Sequence, residues 1–283
     1  MNYKVFYNPL AGKIDDTAFH GDISKALEGD TIEIFDITKI DYKQFFASLK
    51  EGEGVIIAGG DGTLNRFVND TQGIEITAPV YYYAAGTGND FWSDLGKVKG
   101  DKPVELTPYI RDLPTVIVNG NEYKFINGVG YGIDGYCCEV GDALKAQNKK
   151  VNYTSIAING LLFHYKPADA EVTVDGVTKT YKKVWIAPTM NGRMYGGGMI
   201  PTPAQDRLNG ERTLSICIFY GSGKLKTLMI FPKLFKGEHV KKQKNVEILS
   251  GKEITVKFSR PCALQIDGET ILNVTEYTAK SAK

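Results

Sequence analysis

Two stretches of this sequence gather glycines, small polar residues and a carboxylate where an apolar run ends. Residues 55–65 read VIIAGGDGTLN, and residues 86–90, after PVYYYAA, read GTGND. Glycine has no side chain, so successive backbone N–H groups can converge on an anion, and a following helix adds the positive end of its dipole. The same residues also make ordinary tight turns, because glycine accepts positive φ and Asp-Gly is a common turn pair. Spacing alone leaves cradle and turn both open. Asn8-Pro9 with Gly12 forms a third such loop. Near the end, Asp267-Gly268-Glu269 offers either a hairpin turn or a carboxylate able to take a proton.

These residues need a frame. YKVFYN, TIEIFDI, GVIIAG and PVYYYAAG read as strands, and the third is apolar throughout, as suits the middle of a parallel sheet. Between them, Phe19, Ile23, Ala26 and Leu27, and then Tyr42, Phe45, Phe46 and Leu49, fall at helical spacing; TLNRFVND continues as a helix. Such alternation predicts a doubly wound, mostly parallel α/β sheet. Residues 8–12, the region of Thr38, residues 59–63 and residues 86–90 then meet at its carboxyl edge, where ligands bind. Beyond residue 112 the pattern becomes β-rich and sandwich-like, with Asn-Gly and Asp-Gly hairpin signals in TVIVNGNEYKFING and AEVTVDGVTKTYKKVWIAPTM, and further strands in TLSICIFYG, EITVKFS and PCALQIDGETILNV. Helical spacing there is read mainly in SIAINGLLFHY and LKTLMIFPKLFKGEH. The expected domains are residues 1–112 and 113–283.

Bulk properties narrow the class. A net charge of +1 gives no argument for nucleic acid. The four cysteines have no CxxC spacing, which argues against a zinc site or a disulfide framework. No stretch approaches the roughly 20 apolar residues of a membrane span, and the first residues lack a signal-peptide core. A cytoplasmic protein is the expectation.

In combination, Asn8, Pro9 and Gly12, then Gly59, Gly60, Asp61, Gly62 and Thr63 with Asn65, then Gly86, Thr87, Gly88, Asn89, Asp90 and Phe91, closely resemble the diacylglycerol kinase catalytic-domain family, which includes sphingosine kinases, ceramide kinases and bacterial lipid kinases. The resemblance continues through NGVGYGID at 127–134, MYGGGMIPTPAQD at 194–206 and IDGE at 266–269. It implies an NAD kinase/diacylglycerol kinase-like fold, an α/β nucleotide domain plus a β-rich substrate domain, with the chain's tail packing back toward the first domain. It also implies transfer of the γ-phosphoryl group of ATP, with Mg2+, to a hydroxyl of diacylglycerol or a related lipid.

On that resemblance the glycine N–H groups, with Asn8, Pro9, Thr38, Asn65, Thr87, Asn89 and Asp90, bind nucleotide. Phosphoryl transfer requires placement and charge neutralisation more than covalent help. Asp61 beside phosphate is repulsive unless a cation intervenes, so Asp61 is assigned to magnesium. Glu269 resembles the proton acceptor, and Asp134, Tyr195 and Gly197 the acceptor-binding residues. Asp206 with the Leu208 backbone matches a structural metal site, although Arg207 stands where the family commonly has a second Asp. Arg66 and Trp92-Ser93 also depart from the pattern. The apolar and lysine-rich stretch 224–244 and residues 159–166 suit peripheral contact with a membrane surface, with His164 read as a packing residue. Bacterial relatives make a homodimer one further expectation. Two other functions stay open: an NAD kinase, which shares the Gly-Gly-Asp-Gly cradle, and a non-catalytic nucleotide- or lipid-binding regulator.

Overall fold

The computed structural model describes residues 1–9, 16–86, 88–242 and 244–282. Gly12 and Thr87 lie outside these. The chain divides into two units, Met1–Asp112 and Leu113–Lys283.

In the first unit, β1 (Asn2–Tyr7), α1 (Asp16–Ala26), β2 (Thr31–Asp36), α2 (Tyr42–Ser48), β3 (Glu53–Gly59), α3 (Asp61–Asp70), β4 (Val80–Ala84), α4 (Asp90–Asp94), β5 (Val104–Glu105) and α5 (Thr107–Ile110) follow one another. The sheet order is β2-β1-β3-β4-β5. The first four strands are parallel, and the two-residue β5 pairs antiparallel with β4.

Both faces of this sheet are covered, and the side-chain alternation of β1 explains how. Val5 and Tyr7 point to one face, where they pack with Phe19, Ile23 and Leu27 of the α1 region. Phe6 points to the other, where Phe45 meets it edge-on at 4.7 Å and Phe46 at 6.3 Å. Aromatic pairs of this kind contribute about 0.5–1.5 kcal/mol each beyond area burial. A strand covered on both sides has no solvent face, and in β3 every residue from Gly54 to Gly59 is accordingly buried.

The second unit contains β6 (Thr115–Val118), β7 (Asn121–Lys124), β8 (Gly128–Tyr131), α6 (Ile133–Ala146), α7 (Tyr153–Asn159), β9 (Ala168–Val174), β10 (Val177–Val184), β11 (Thr189–Met190), β12 (Leu214–Phe219), α8 (Lys224–Ile230), β13 (Val246–Gly251), β14 (Glu253–Ile266) and β15 (Glu269–Lys280). Its strands join in one sheet of order β13-β12-β11-β8-β14-β15-β6-β7, with β9 and β10 branching from β14. The branch is possible because β14 is long and bulged. Residues 254–258 pair with β9; the register slips on either side of Cys262, and residues 264–266 pair with β8. Tyr131 and Phe258 stack in the core at 3.9 Å.

Both expected hairpins form and Asp267-Gly268 turns a third, each with positive φ at both turn residues: Asn119 and Gly120, Asp175 and Gly176, Asp267 and Gly268. One feature differs from the sequence reading. The helix α6, of 14 residues, was not among the expected helices. Its sequence carries Gly135 and Gly141, which lower helix propensity, but both are needed for packing. A Cβ at Gly135 would lie 2.0 Å from the Ala263 carbonyl oxygen, and one at Gly141 would lie 2.7 Å from the Tyr153 ring.

Candidate functional site

In the first unit the strand order reverses between β1 and β3, and loops from both reach the carboxyl edge there. Asn8, just after β1, donates its carboxamide N–H to Thr63 Oγ1 at 3.2 Å. Thr63 sits in the first turn of α3, whose first intrahelical bond runs from Leu64 N–H to the Gly60 carbonyl at 3.1 Å. The N–H groups of Gly62 and Thr63 precede that bond and so face out of the helix start.

Asp61 bridges two loops. Its carboxylate accepts from the Asp90 N–H at 2.7 Å and the Phe91 N–H at 3.0 Å, while its own N–H donates to the Gly88 carbonyl at 3.0 Å. The cap of α4 is therefore Asp61, a residue remote in sequence. Asn89, at the N-cap position, makes no capping bond; its Nδ2 donates instead to the Gly86 carbonyl at 2.7 Å.

The glycines are explained by proximity. A Cβ on Gly59 would fall 2.6 Å from the Thr63 side chain, one on Gly60 2.9 Å from the Gly88 carbonyl oxygen, and one on Gly86 2.5 Å from Gly60 Cα. Close packing of backbone on backbone thus requires glycine at these three positions.

Other expected nucleotide residues are spread more widely. Thr38 lies past β2, its hydroxyl and N–H both held by the Asp36 carboxylate at 2.6 and 3.0 Å. Asn65 is buried in α3, where its carbonyl and carboxamide oxygens accept from Asn69 at 3.0 and 3.4 Å. Asp90 is buried at the start of α4.

In the second unit, Asp134 and Tyr195 are brought together. Asp134 stands in the first turn of α6, and its Oδ2 accepts from the Tyr195 hydroxyl at 3.2 Å. Burial raises its carboxyl to about 6. Its Oδ1 is buried without a hydrogen-bond partner. Gly130 makes the room, since a Cβ there would fall 1.7 Å from Asp134 Oδ2 and 2.4 Å from Gln265 Nε2. Tyr195 and Met199 exchange backbone hydrogen bonds at 3.0 and 3.1 Å across Gly196, Gly197 and Gly198, all three at positive φ.

Asp267 fixes its own turn, accepting from the N–H groups of Ile126, Asn127 and Gly128 at 2.6, 2.8 and 2.9 Å. Glu269 follows, exposed at the head of β15. Asp267 carries more of the local structure than the sequence reading gave it; the signal was present in the Asp-Gly pair but pointed only to a turn. A cavity of about 570 Å³ opens elsewhere in this unit, lined among others by Tyr136, Glu139, Tyr165, Arg260 and Leu272. His164, read as a packing residue, is exposed at its rim.

Comparison with known proteins identifies the family. The family profile described as "Diacylglycerol kinase catalytic domain" matches residues 2–116, and that described as "YegS C-terminal NAD kinase beta sandwich-like domain" matches residues 127–279. The chain belongs to the diacylglycerol kinase family. A protein of Mycobacterium tuberculosis named diacylglycerol kinase is 27% identical over 252 residues, covering 82% of this chain and 78% of its own. A relative from Staphylococcus epidermidis, whose name proposes a lipid kinase, is 30% identical over 227 residues, covering 76% and 69%. A Bacillus anthracis crystal structure titled as a diacylglycerol kinase superposes with a TM-score of 0.59 at 17% identity, covering 99% and 94% of the two chains.

For a diacylglycerol kinase family member, two metal positions follow from the resemblance, and the chain treats them differently. Around Asp61 two carboxylates come together, which suits a cation that phosphate oxygens would also hold. The Asp61 carboxylate takes the backbone N–H groups of Asp90 and Phe91, and the carboxylates of Asp61 and Asp90 both bear on the buried Tyr82 phenol, so two like charges share one neighbourhood. Around Asp206 the residues do not fit a cation. Asp206 and Leu208 are exposed, and the Asp206 carboxylate accepts from the Leu208 N–H at 2.9 Å. Among the described residues no group of three or more acidic, histidine or cysteine side chains could hold a metal. Arg207 is buried instead, donating to the Ile126 carbonyl at 2.8 Å and to Asn127 Oδ1 at 2.7 Å.

Proposed function

We propose that this chain is an ATP-dependent lipid kinase that moves the γ-phosphoryl group to a hydroxyl of diacylglycerol or a related lipid. The observation that carries the reading is the carboxyl-edge cluster. There the Gly62 and Thr63 N–H groups stand at a helix start, tied to Asn8 across the strand reversal, with the Asp61 and Asp90 carboxylates beside them. The lipid acceptor rests on the names of the relatives.

On this reading the Gly62 and Thr63 N–H groups and the Asn8 carboxamide hold the phosphates, and Asp61 with Asp90 would hold magnesium. When bound, that ion offsets the charge on the phosphate oxygens. Asp134, steadied by Tyr195, helps to orient the acceptor. Glu269 takes the hydroxyl proton as the oxygen–phosphorus bond forms and the bond to the leaving nucleoside diphosphate breaks.

A bilayer substrate requires contact with its surface. Among the described residues no helix is long and apolar enough to cross a membrane. Phe163, Leu225 and Met229 are 70, 75 and 68% exposed, and Lys224 joins their two segments by donating to the Leu162 carbonyl at 2.8 Å. With Lys226 on the same helix, they suit docking on anionic lipid.

The test is transfer of labelled γ-phosphate from ATP, with magnesium, to lipids in mixed micelles, with NAD in a parallel reaction. Label in one lipid, and about 100-fold less of it with Glu269→Gln, is the expected result for a lost general base. Glu269 is exposed, so the variant should fold. Label in NAD would make the protein a dinucleotide kinase, and no label with ATP still bound would make it a regulator.

A further inference from the structure

Arg207 is 8% exposed, and a buried guanidinium must be compensated. Its planar fork donates to the Ile126 carbonyl and to Asn127 Oδ1 at 2.8 and 2.7 Å. Residues 126–128 are held from their amide side by the Asp267 carboxylate. A fixed cation therefore grips Ile126 and Asn127 through their acceptors, while a fixed anion grips the same two residues and Gly128 through their donors. Asn191 reinforces the grip, donating its side chain to the Ile126 carbonyl and its N–H to the Asn127 carbonyl, at 3.0 and 2.9 Å.

The consequence runs to the following turn. Asp267 N–H donates back to the Gly128 carbonyl at 3.0 Å, and Gln265 Oε1 accepts the Gly268 N–H at 2.8 Å. The position of Glu269 is set by a turn whose first residue is anchored on residues 126–128, and those residues are anchored on Arg207.

We propose that Arg207 is a positioning residue for Glu269, supplying as part of the chain the cation that the resemblance places at this corner as a bound metal. The proposal rests on Glu269 being the proton acceptor. Lysine could serve only part of this role, because one ammonium point charge does not reproduce a two-pronged fork.

The experiment is amide hydrogen exchange on the full chain, paired with steady-state kinetics, for wild type, Arg207→Met, Arg207→Lys and Glu269→Gln. In Arg207→Met, exchange over 126–128 and 267–269 should quicken about tenfold or more, with first-unit peptides unchanged as the control for folding. Its kcat should fall about 100-fold, the scale of a small misplacement of a reacting group, with KM for ATP little altered. Arg207→Lys should recover part of both, and chelator should leave wild-type exchange over 126–128 unchanged. Unaltered exchange over 267–269 in Arg207→Met, or loosening of wild type by chelator, would overturn the proposal. Full turnover by Glu269→Gln would remove the base assignment and the positioning role with it, while the exchange data would still report the clamp.

Discussion

Asn8 Nδ2 and Thr63 Oγ1 lie 3.2 Å apart, joining the loop after β1 to the first turn of α3 where the strand order reverses. Residues 55 positions apart in sequence thus share one side-chain bond at the edge of the sheet. A double-mutant cycle should register it. Asn8→Ala and Thr63→Val should each reduce unfolding free energy by about 1 kcal/mol, and the pair by less than the sum. Strict additivity in denaturant melts would mean the bond contributes nothing. In kinetics, Asn8→Ala should raise KM for ATP more than it lowers kcat.

Asp61 has two separable roles, helix cap and charge centre. Asp61→Ala should lose about 1–2 kcal/mol of first-unit stability through the missing cap. Asp61→Asn keeps an oxygen able to accept from one of the α4 N–H groups, so it should lose roughly half of that. Turnover should collapse in both. Wild-type turnover in Asp61→Asn would reduce this residue to a cap.

The parallel strands and the amphipathic helices of the first unit were legible because hydrophobic periodicity is local; β1 and β3 announce their faces residue by residue. The hairpins were legible for a similar reason, since Asn-Gly and Asp-Gly pairs suit positive φ. What could not be read depends on distant partners. Nothing near Asp61 indicates that α4 begins under its carboxylate, and nothing near Asn89 indicates that its side chain is diverted to Gly86. The glycines of α6 look like helix breakers until the Ala263 carbonyl and the Tyr153 ring are seen against them. Asp134 and Tyr195 were found as separate motifs; their mutual hydrogen bond belongs to the fold alone.

Asp134 gives the protein a pH signature. Burial raises its carboxyl from 3.8 to about 6, so the folded state binds this proton more tightly than the unfolded chain. Its effect on stability is then least adverse below about pH 4, worsens as pH rises toward about 6, and is constant above, with a full size on the order of 2–3 kcal/mol. Asp134→Asn should remove that slope. Thermal unfolding of the two proteins between pH 4 and 7 should give a difference curve that grows with pH and levels off above 6. Parallel curves would show that Asp134 titrates alike in both states.

Gly60 and Gly86 meet backbone to backbone, and that contact has an evolutionary cost as well as a structural use. Neither loop can accept a side chain at its glycine unless the other retreats, so the two segments can drift only together. They make a single inherited unit split between two places in the gene, and a loop transplanted from a relative without its counterpart should misfit at this seam.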